Sequence, residues 1–191
     1  MQEKNNCQDV KEDIIFIEDN LKLVVASSAF ASAIFEAIDF NRENFSKYMA
    51  WPSFVKQEAD TLKSLQDFYS AHQKNASKTY VILYFDKVVG VVGFNNIDKG
   101  NKVAEIGYWL DSRSAGNGIV TKAVLALVKY YQTGDLINRF VIKCSVANSK
   151  SNAVAKRCGF TLEGRLRKAE YLNGIFYDQN IYSWLAEDSN K

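Results

Sequence analysis

Histidine and proline each occur once among the 191 residues, as His72 and Pro52, and cysteine occurs three times, as Cys7, Cys144 and Cys158. A single imidazole excludes most zinc sites and leaves little from which to build a Ser-His-Asp or Cys-His pairing, so no metal is expected. His72 falls in step with Ala59, Leu62, Leu65 and Tyr69 on a helical pattern, which points to packing or surface and not to chemistry. The cysteines are widely spaced, form no C-x-x-C pair and are odd in number, so reduced thiols are expected. With one proline, no internal repeat and no low-complexity tract, nothing marks a linker, and 47% hydrophobic content over this length suits one core. A single domain is expected over residues 14–187, with a weakly ordered segment at 1–13 and a tail at 188–191. MQEKNNCQDVKED has no apolar stretch and reads as neither a signal peptide nor a membrane span, so a cytoplasmic protein without a membrane partner is expected. A net charge of only +2, with both signs interspersed, offers no broad cationic face, so no nucleic-acid partner is expected.

What is present is an ordered change of hydrophobic period. Ile14 to Ile17 and Leu21 to Val25 read as a hairpin around Glu18, Asp19 and Asn20, after which Ser27 or Ser28 can cap a helix carrying Phe30, Ile34, Ala37 and Ile38. A second short helix over Arg42 to Met49 and a third over Lys56 to Lys74 follow. YVILYF, VVGVVGF and KVAEIGYWL then read as an antiparallel meander, turned at Asp86-Lys87 and at Asp98-Lys99-Gly100-Asn101. Next comes a helix with Val120, Ala123, Val124, Leu127, Val128 and Tyr131 on one face, then a strand over Arg139 to Val146. A helix over Ser149 to Arg157 takes Asn148 as N-cap and Gly159 as stop. The last strands, Phe160 to Leu166 and Tyr177 to Leu185, turn at Asn173-Gly174. The sum is an α+β domain whose central mixed, mostly antiparallel sheet is flanked by helices.

At the mouth of the long apolar-faced helix stand two glycines, Gly116 and Gly118. A glycine inside a helix costs about 1 kcal/mol, so these two point to backbone that bends sharply or approaches something closely. The unpaired N–H groups of a helix that follows a strand within a few residues form a ready anion site, suited to a pyrophosphate. A tight strand-to-helix turn with no ligand accounts for the glycines equally well. Neither a P-loop nor a complete Rossmann fingerprint is present, since no G-K-[ST] occurs and Thr121 stands where the third small residue belongs.

Arg113-Ser114-Ala115-Gly116-Asn117-Gly118 matches the R/Q-x-x-G-x-G/A loop of the GNAT acetyltransferases, and the chain resembles that family more widely. AEIGYWLD before the loop, NRFVIKCSVANSKSNAVAKRCGFTLEGRLRKAEYLNG after it, and Asp178 and Tyr182 in the last strand are similar to the Rim-type branch. That branch acetylates N-terminal α-amines of ribosomal proteins and has relatives of other acceptor specificity. The resemblance implies a GNAT fold, with splayed strands holding acetyl-CoA as cosubstrate. It places the pyrophosphate on the loop Arg113 to Gly118 and on the amides of Gly116, Asn117, Gly118, Ile119 and Val120. The pantetheine arm would lie along Tyr108, Trp109 and Leu110 as an added strand, with Asn148 also touching it and Ser151 near the thiol.

Moving an acetyl group from a thioester to an amine needs an unprotonated amine, a donor for the developing oxyanion and a proton for the leaving thiolate. Glu105, on the strand face shared with Gly107 and Trp109, is the candidate base, as a semi-buried carboxylate whose pKa its apolar surroundings would raise. An edge carboxylate paired with Lys102 is the alternative. Ser151 is the candidate acid or thiol-orienting group, and ordinary capping by Asn148 and Ser151 explains the same residues. A backbone N–H near Tyr108 to Leu110 would meet the oxyanion. A covalent route through Cys144 or Cys158 is the rival mechanism, although both positions suit packing. The acceptor is expected from the opposite side of the sheet, past DFNRENFSKYMAWPSF, whose Phe40, Phe45, Tyr48, Trp51 and Phe54 could line its entrance. A protein N-terminal α-amine is the expected acceptor. A small amine such as a polyamine, and a non-catalytic CoA-binding module, are the alternatives, and exposed sheet edges leave a homodimer open.

Overall fold

The computed structural model describes residues 14–190 apart from residue 135; the segment 1–13, including Cys7, and residue 191 lie outside the described residues. Eight strands form one continuous sheet: β1 Ile14–Glu18, β2 Leu21–Val25, β3 Lys78–Tyr84, β4 Lys87–Asp98, β5 Val103–Leu110, β6 Arg139–Ser145, β7 Thr161–Leu172 and β8 Ile175–Leu185. Their order is β1-β2-β3-β4-β5-β6-β8-β7. Every neighbouring pair is antiparallel except β5 and β6, which the intervening helix brings side by side in the same direction. The α+β class and mixed, mostly antiparallel sheet expected from the periodicity are therefore observed.

Four helices cover the sheet: α1 Ala31–Ser46, α2 Glu58–Gln73, α3 Ile119–Gln132 and α4 Ser149–Arg157. The apolar stripe of α3, with Ala123, Val124 and Leu127 fully buried, packs into a core with Tyr80, Phe94, Phe140 and Tyr182. A second core lies under α1 and α2, built on Ile34, Ile38, Leu65, Val81 and Leu83. His72 is buried on α2 and meets the Tyr80 ring edge-on at 5.4 Å between centroids, the packing role its spacing suggested. Among the described residues no helix is long and apolar enough to cross a membrane.

Some boundaries differ from the sequence expectation. The helices expected around Ile34 and over Arg42 to Met49 are one, α1, because Asn41 does not end it: its side-chain amide donates to the Ala37 carbonyl within the helix at 2.8 Å. Ser27 and Ser28 make no side-chain cap; Ser28–Phe30 form a 3-10 turn ahead of α1. The first meander turn is at Phe85-Asp86, both at positive φ, and not at Asp86-Lys87. The last hairpin turns at Asn173-Gly174 as expected, with longer strands on both sides. Gly159 stops α4 in a Schellman arrangement, its N–H on the Lys156 carbonyl and that of Phe160 on Ala155. At the end of the chain Ala186–Asn190 form a 3-10 turn, and Asp188 accepts from the Leu185 N–H at 2.9 Å.

Candidate active site

The parallel pairing of β5 and β6 covers only Val103–Glu105 against Arg139–Val141. Beyond Glu105 the two strands part, so the β5 edge from Ile106 to Leu110 faces a gap, while its other edge stays paired with β4. A cleft of about 1800 Å³ runs through this fork, from Gly116 and Gly118 at one end to α1 and α2 at the other. Ligand pockets commonly run to about 300–1,000 Å³, so this cleft has room for two ligands at once.

At the first end, Gly116 and Gly118 sit at φ of +89° and +68°, and a Cβ at either would meet nothing within 4 Å among the described residues. Their backbone conformation demands glycine, and the space beyond them is open. Lys122 N–H, on the Gly118 carbonyl, makes the first bond of α3, so the N–H groups of Ile119, Val120 and Thr121 precede it at the positive end of the helix. Asn117 closes the turn by donating to the Ser114 carbonyl at 3.1 Å. Arg113 points elsewhere: its Nε and Nη2 donate to Asp111 at 2.8 and 2.6 Å, and its guanidinium lies 4.4 Å over the Phe40 ring. Its side chain thus braces the loop from its N-terminal end, as that of Asn117 does within the turn.

At the fork, Ser151 and Tyr108 are brought together, the phenol oxygen and Oγ 2.9 Å apart. Burial pushes the Tyr108 phenol well above its ordinary value, and the Ser151 hydrogen bond offsets only part of this, so it stays protonated. The start of α4 is set by two asparagines. Asn148 Oδ1 accepts from the Ser151 N–H at 3.1 Å, the expected cap, while buried Asn152 donates to the Ser145 and Asn148 carbonyls at 2.9 and 2.8 Å. Asn152 Oδ1 accepts in turn from Tyr182 at 2.8 Å, which anchors the helix to β8. Burial raises the thiols of Cys144 and Cys158, the latter to about 12. Both therefore stay protonated at neutral pH and suit packing better than attack.

Glu105 stands where β5 and β6 diverge, on the face away from α3. It is not isolated among apolar groups as the sequence suggested: Lys143 Nζ, from the neighbouring strand, donates to its Oε2 at 2.7 Å. Lys102, the partner in the alternative reading of the sequence, sits in the turn before β5 at φ 54°. Register explains the exchange, since Glu105 pairs with Val141 across the parallel ladder and Lys143 lies two residues on, on the same face. A lysine inside the otherwise apolar FVIKCS is the same kind of signal as a glutamate inside AEIGYWL, and only the register joins them. The same face carries Trp109, whose ring lies 5.4 Å from Phe45 and 6.2 Å from Trp51. Phe45, Tyr48, Trp51 and Phe54 all border the cleft, Phe54 at its rim and 74% exposed, whereas Phe40 serves Arg113. Glu170 and Gln179, from the final hairpin, join the lining with a 3.1 Å hydrogen bond between them. Among the described residues no three His, Cys, Asp or Glu side chains cluster to hold a metal.

A sheet forked between parallel strands, with a double-glycine turn into a helix at one end of the cleft, is the arrangement that the resemblance to the acyl-CoA-dependent GNAT transferases implies. Comparison with known proteins gives the family: the acetyltransferase (GNAT) domain model matches residues 21–161, and the chain belongs to the GNAT acetyltransferases. It is 39% identical over 175 residues to the ribosomal-protein-serine acetyltransferase of Escherichia coli, covering 92% of this chain and 98% of that one. Among solved structures, the microcin C7 self-immunity acetyltransferase MccE, in complex with acetyl-CoA and AMP, is 46% identical. That match covers 88% of this chain and 94% of the other at a TM-score of 0.86. RimL, a ribosomal-protein α-N-acetyltransferase in complex with coenzyme A, is 39% identical, covering 91% of this chain and 98% of its own at a TM-score of 0.88. The protein is an acetyl-CoA-dependent N-acetyltransferase close to the ribosomal-protein N-terminal acetyltransferases.

Proposed function

We propose that the acceptor is an exposed α-amine, at a peptide or protein N-terminus, and that it attacks acetyl-CoA directly in a ternary complex. The carrying observation is Glu105, a carboxylate held by Lys143 at the fork, on the cleft face that also carries Trp109. Pyrophosphate on the Gly116–Val120 amides and pantetheine along Tyr108–Leu110 would bring the thioester to the fork, with Asn148 and Ser151 at the thiol end. The amine nitrogen attacks the thioester carbon and the C–S bond breaks. The amine proton passes to Glu105, directly or through water, and the thiolate takes its proton from the Ser151–Tyr108 pair. A β5 backbone N–H meets the oxyanion.

At pH 7 about a tenth of an α-amine of pKa 7.7–8.0 is already neutral, against under a thousandth of a lysine side chain, so one carboxylate base suits α-amines. A polyamine would call for free acids at the acceptor mouth. Besides Glu105, the carboxylates that line the cleft are Asp60, engaged by the Lys56 and Gln57 backbone N–H groups at 2.9 and 3.1 Å, and Glu170, which accepts from Gln179 at 3.1 Å. A second form of the same acceptor is favoured by the aromatic trio Phe45, Trp51 and Trp109 together with the AMP held by MccE: an α-amine carried on an aminoacyl nucleotide, with its base against those rings.

The test offers short peptides with free or blocked N-termini, each with and without lysine, alongside spermidine and an aminoacyl-sulfamoyl adenosine. Thiol release is followed and the acetylated position located by fragment mass spectrometry. Acetylation at free α-amines is expected. Faster turnover of spermidine, or acetylation of blocked peptides at lysine, would overturn the α-amine assignment. A preference for the adenosine conjugate over every peptide would select the nucleotide-bearing acceptor.

A further inference from the structure

The segment that leads into the double-glycine turn is held from outside, by α1. Asn41 is fully buried there, and its side chain is fully engaged. Its Oδ1 accepts from the Ser112 N–H at 3.0 Å, and its Nδ2 donates to Asp111 Oδ1 at 3.1 Å as well as to the Ala37 carbonyl. The partners dictate this orientation, since a backbone N–H can only donate and a carboxylate only accept. Asp111 is itself buried and accepts also from the Arg113 backbone N–H at 2.9 Å and from its guanidinium. Burial alone would raise the Asp111 carboxyl; the hydrogen bonds from Arg113 and Asn41 outweigh it and hold the group below its ordinary value. A buried carboxylate this heavily hydrogen-bonded keeps one geometry, because each alternative strands a polar group. The Arg113 guanidinium completes the grip by reaching back to α1, 3.3 Å from Glu36 and stacked on Phe40.

We propose that the Asn41–Asp111 bridge positions the acetyl-CoA loop, so that α1 sets where the Gly116–Gly118 turn stands before cofactor arrives. The proposal rests on that turn being the pyrophosphate site. Asn41 and Asp111 act through the backbone of Ser112 to Ala115 and are positioning residues. With the bridge intact, the turn has little conformational freedom left to lose on binding; without it, the same contacts must first be ordered. The same helix meets the other half of the cleft through Phe45, so one element borders both ligands.

The experiment uses the full chain with Asn41→Ala and Asp111→Asn. Calorimetry with CoA should show binding weakened by about tenfold or more in each, with KM for acetyl-CoA rising in step. At saturating acetyl-CoA, kcat should stay within about twofold of the parent, a split that partial unfolding does not produce. Leu23→Ala, fully buried in β2 away from the cleft, serves as the destabilised control and should lower Tm while leaving CoA affinity unchanged. Should Asn41→Ala not fold, Asp111→Asn decides alone, since it keeps the side-chain shape. CoA affinity near the parent's, or a fall in kcat at unchanged KM, overturns the proposal. Gly118→Glu separates it from its premise. If that variant still binds CoA like the parent, the pyrophosphate assignment fails; if it loses binding while the bridge variants do not, only the bridge falls.

Discussion

Replacing Glu105 by Gln tests the chemistry with little disturbance of the fold. The Glu105–Lys143 pair has side-chain exposures of 31% and 35%, and an ion pair so open to water stabilises by at most about 1 kcal/mol. For a chain of this size that is a Tm loss of roughly 2–4 °C, too small to reduce the folded fraction at assay temperature. Any large loss of turnover is therefore chemical. General-base catalysis contributes about 10²–10⁴-fold, so a fall of at least about 100-fold is expected at pH 7. At that pH about a tenth of a free α-amine is neutral, and near pH 9.5 almost all of it is, so the deficit should shrink by about tenfold between the two. The assay is thiol release from acetyl-CoA with a free-N-terminus peptide, run at both pH values for parent and variant. Calorimetry should show CoA affinity unmoved. A deficit of the same size at both pH values would mean that Glu105 orients the acceptor or supports the fork through Lys143 and takes no proton.

Two further outcomes concern the scaffold. A Cβ on Gly93 would press onto the Lys78 carbonyl oxygen and lie 2.8 Å from Thr79 Cα, so Gly93→Ala should force β3 and β4 apart and cost about 1–3 kcal/mol, read as a lowered urea midpoint; an unchanged midpoint would refute that contact. Glu163, bound by the Arg139 guanidinium first and by Ser183, is held at about 2, below its ordinary 4.5. Stability from a depressed carboxylate is present above the unfolded value and is lost as pH falls through the folded one. Because the carboxylate is 37% exposed, water screens the pair to about 1 kcal/mol, so Glu163→Gln should lower Tm by a few degrees at pH 7 and progressively less toward pH 2–3, whereas a constant difference would exclude the ion pair as its source.

Much of this protein follows from local patterns. The continuous apolar, β-branched and aromatic runs YVILYF and VVGVVGF, the 3.6-residue stripe of Val120 to Tyr131 and the Asn173-Gly174 turn each depend on neighbours a few residues away, and each element formed near its expected bounds. The paired glycines at 116 and 118 are legible for the same reason: a positive φ is a demand made on one residue by its own backbone. The family also follows from such segments, since the loop and the ANSKS turn each lie within one short stretch.

What joins distant segments was decided by the tertiary structure. That Glu105 faces Lys143 and not the nearby Lys102 depends on the parallel register of β5 and β6, whose strands are linked only through α3. That Arg113 braces the loop depends on Asp111 beside it and on Glu36 and Phe40, more than seventy residues earlier. Asn41 looks like a break in the apolar stripe of a helix. It remains helical and buried because its partners, Asp111 and Ser112, arrive from the end of β5, 70 and 71 residues further along the chain, and a buried amide is stable only where such partners come to meet it.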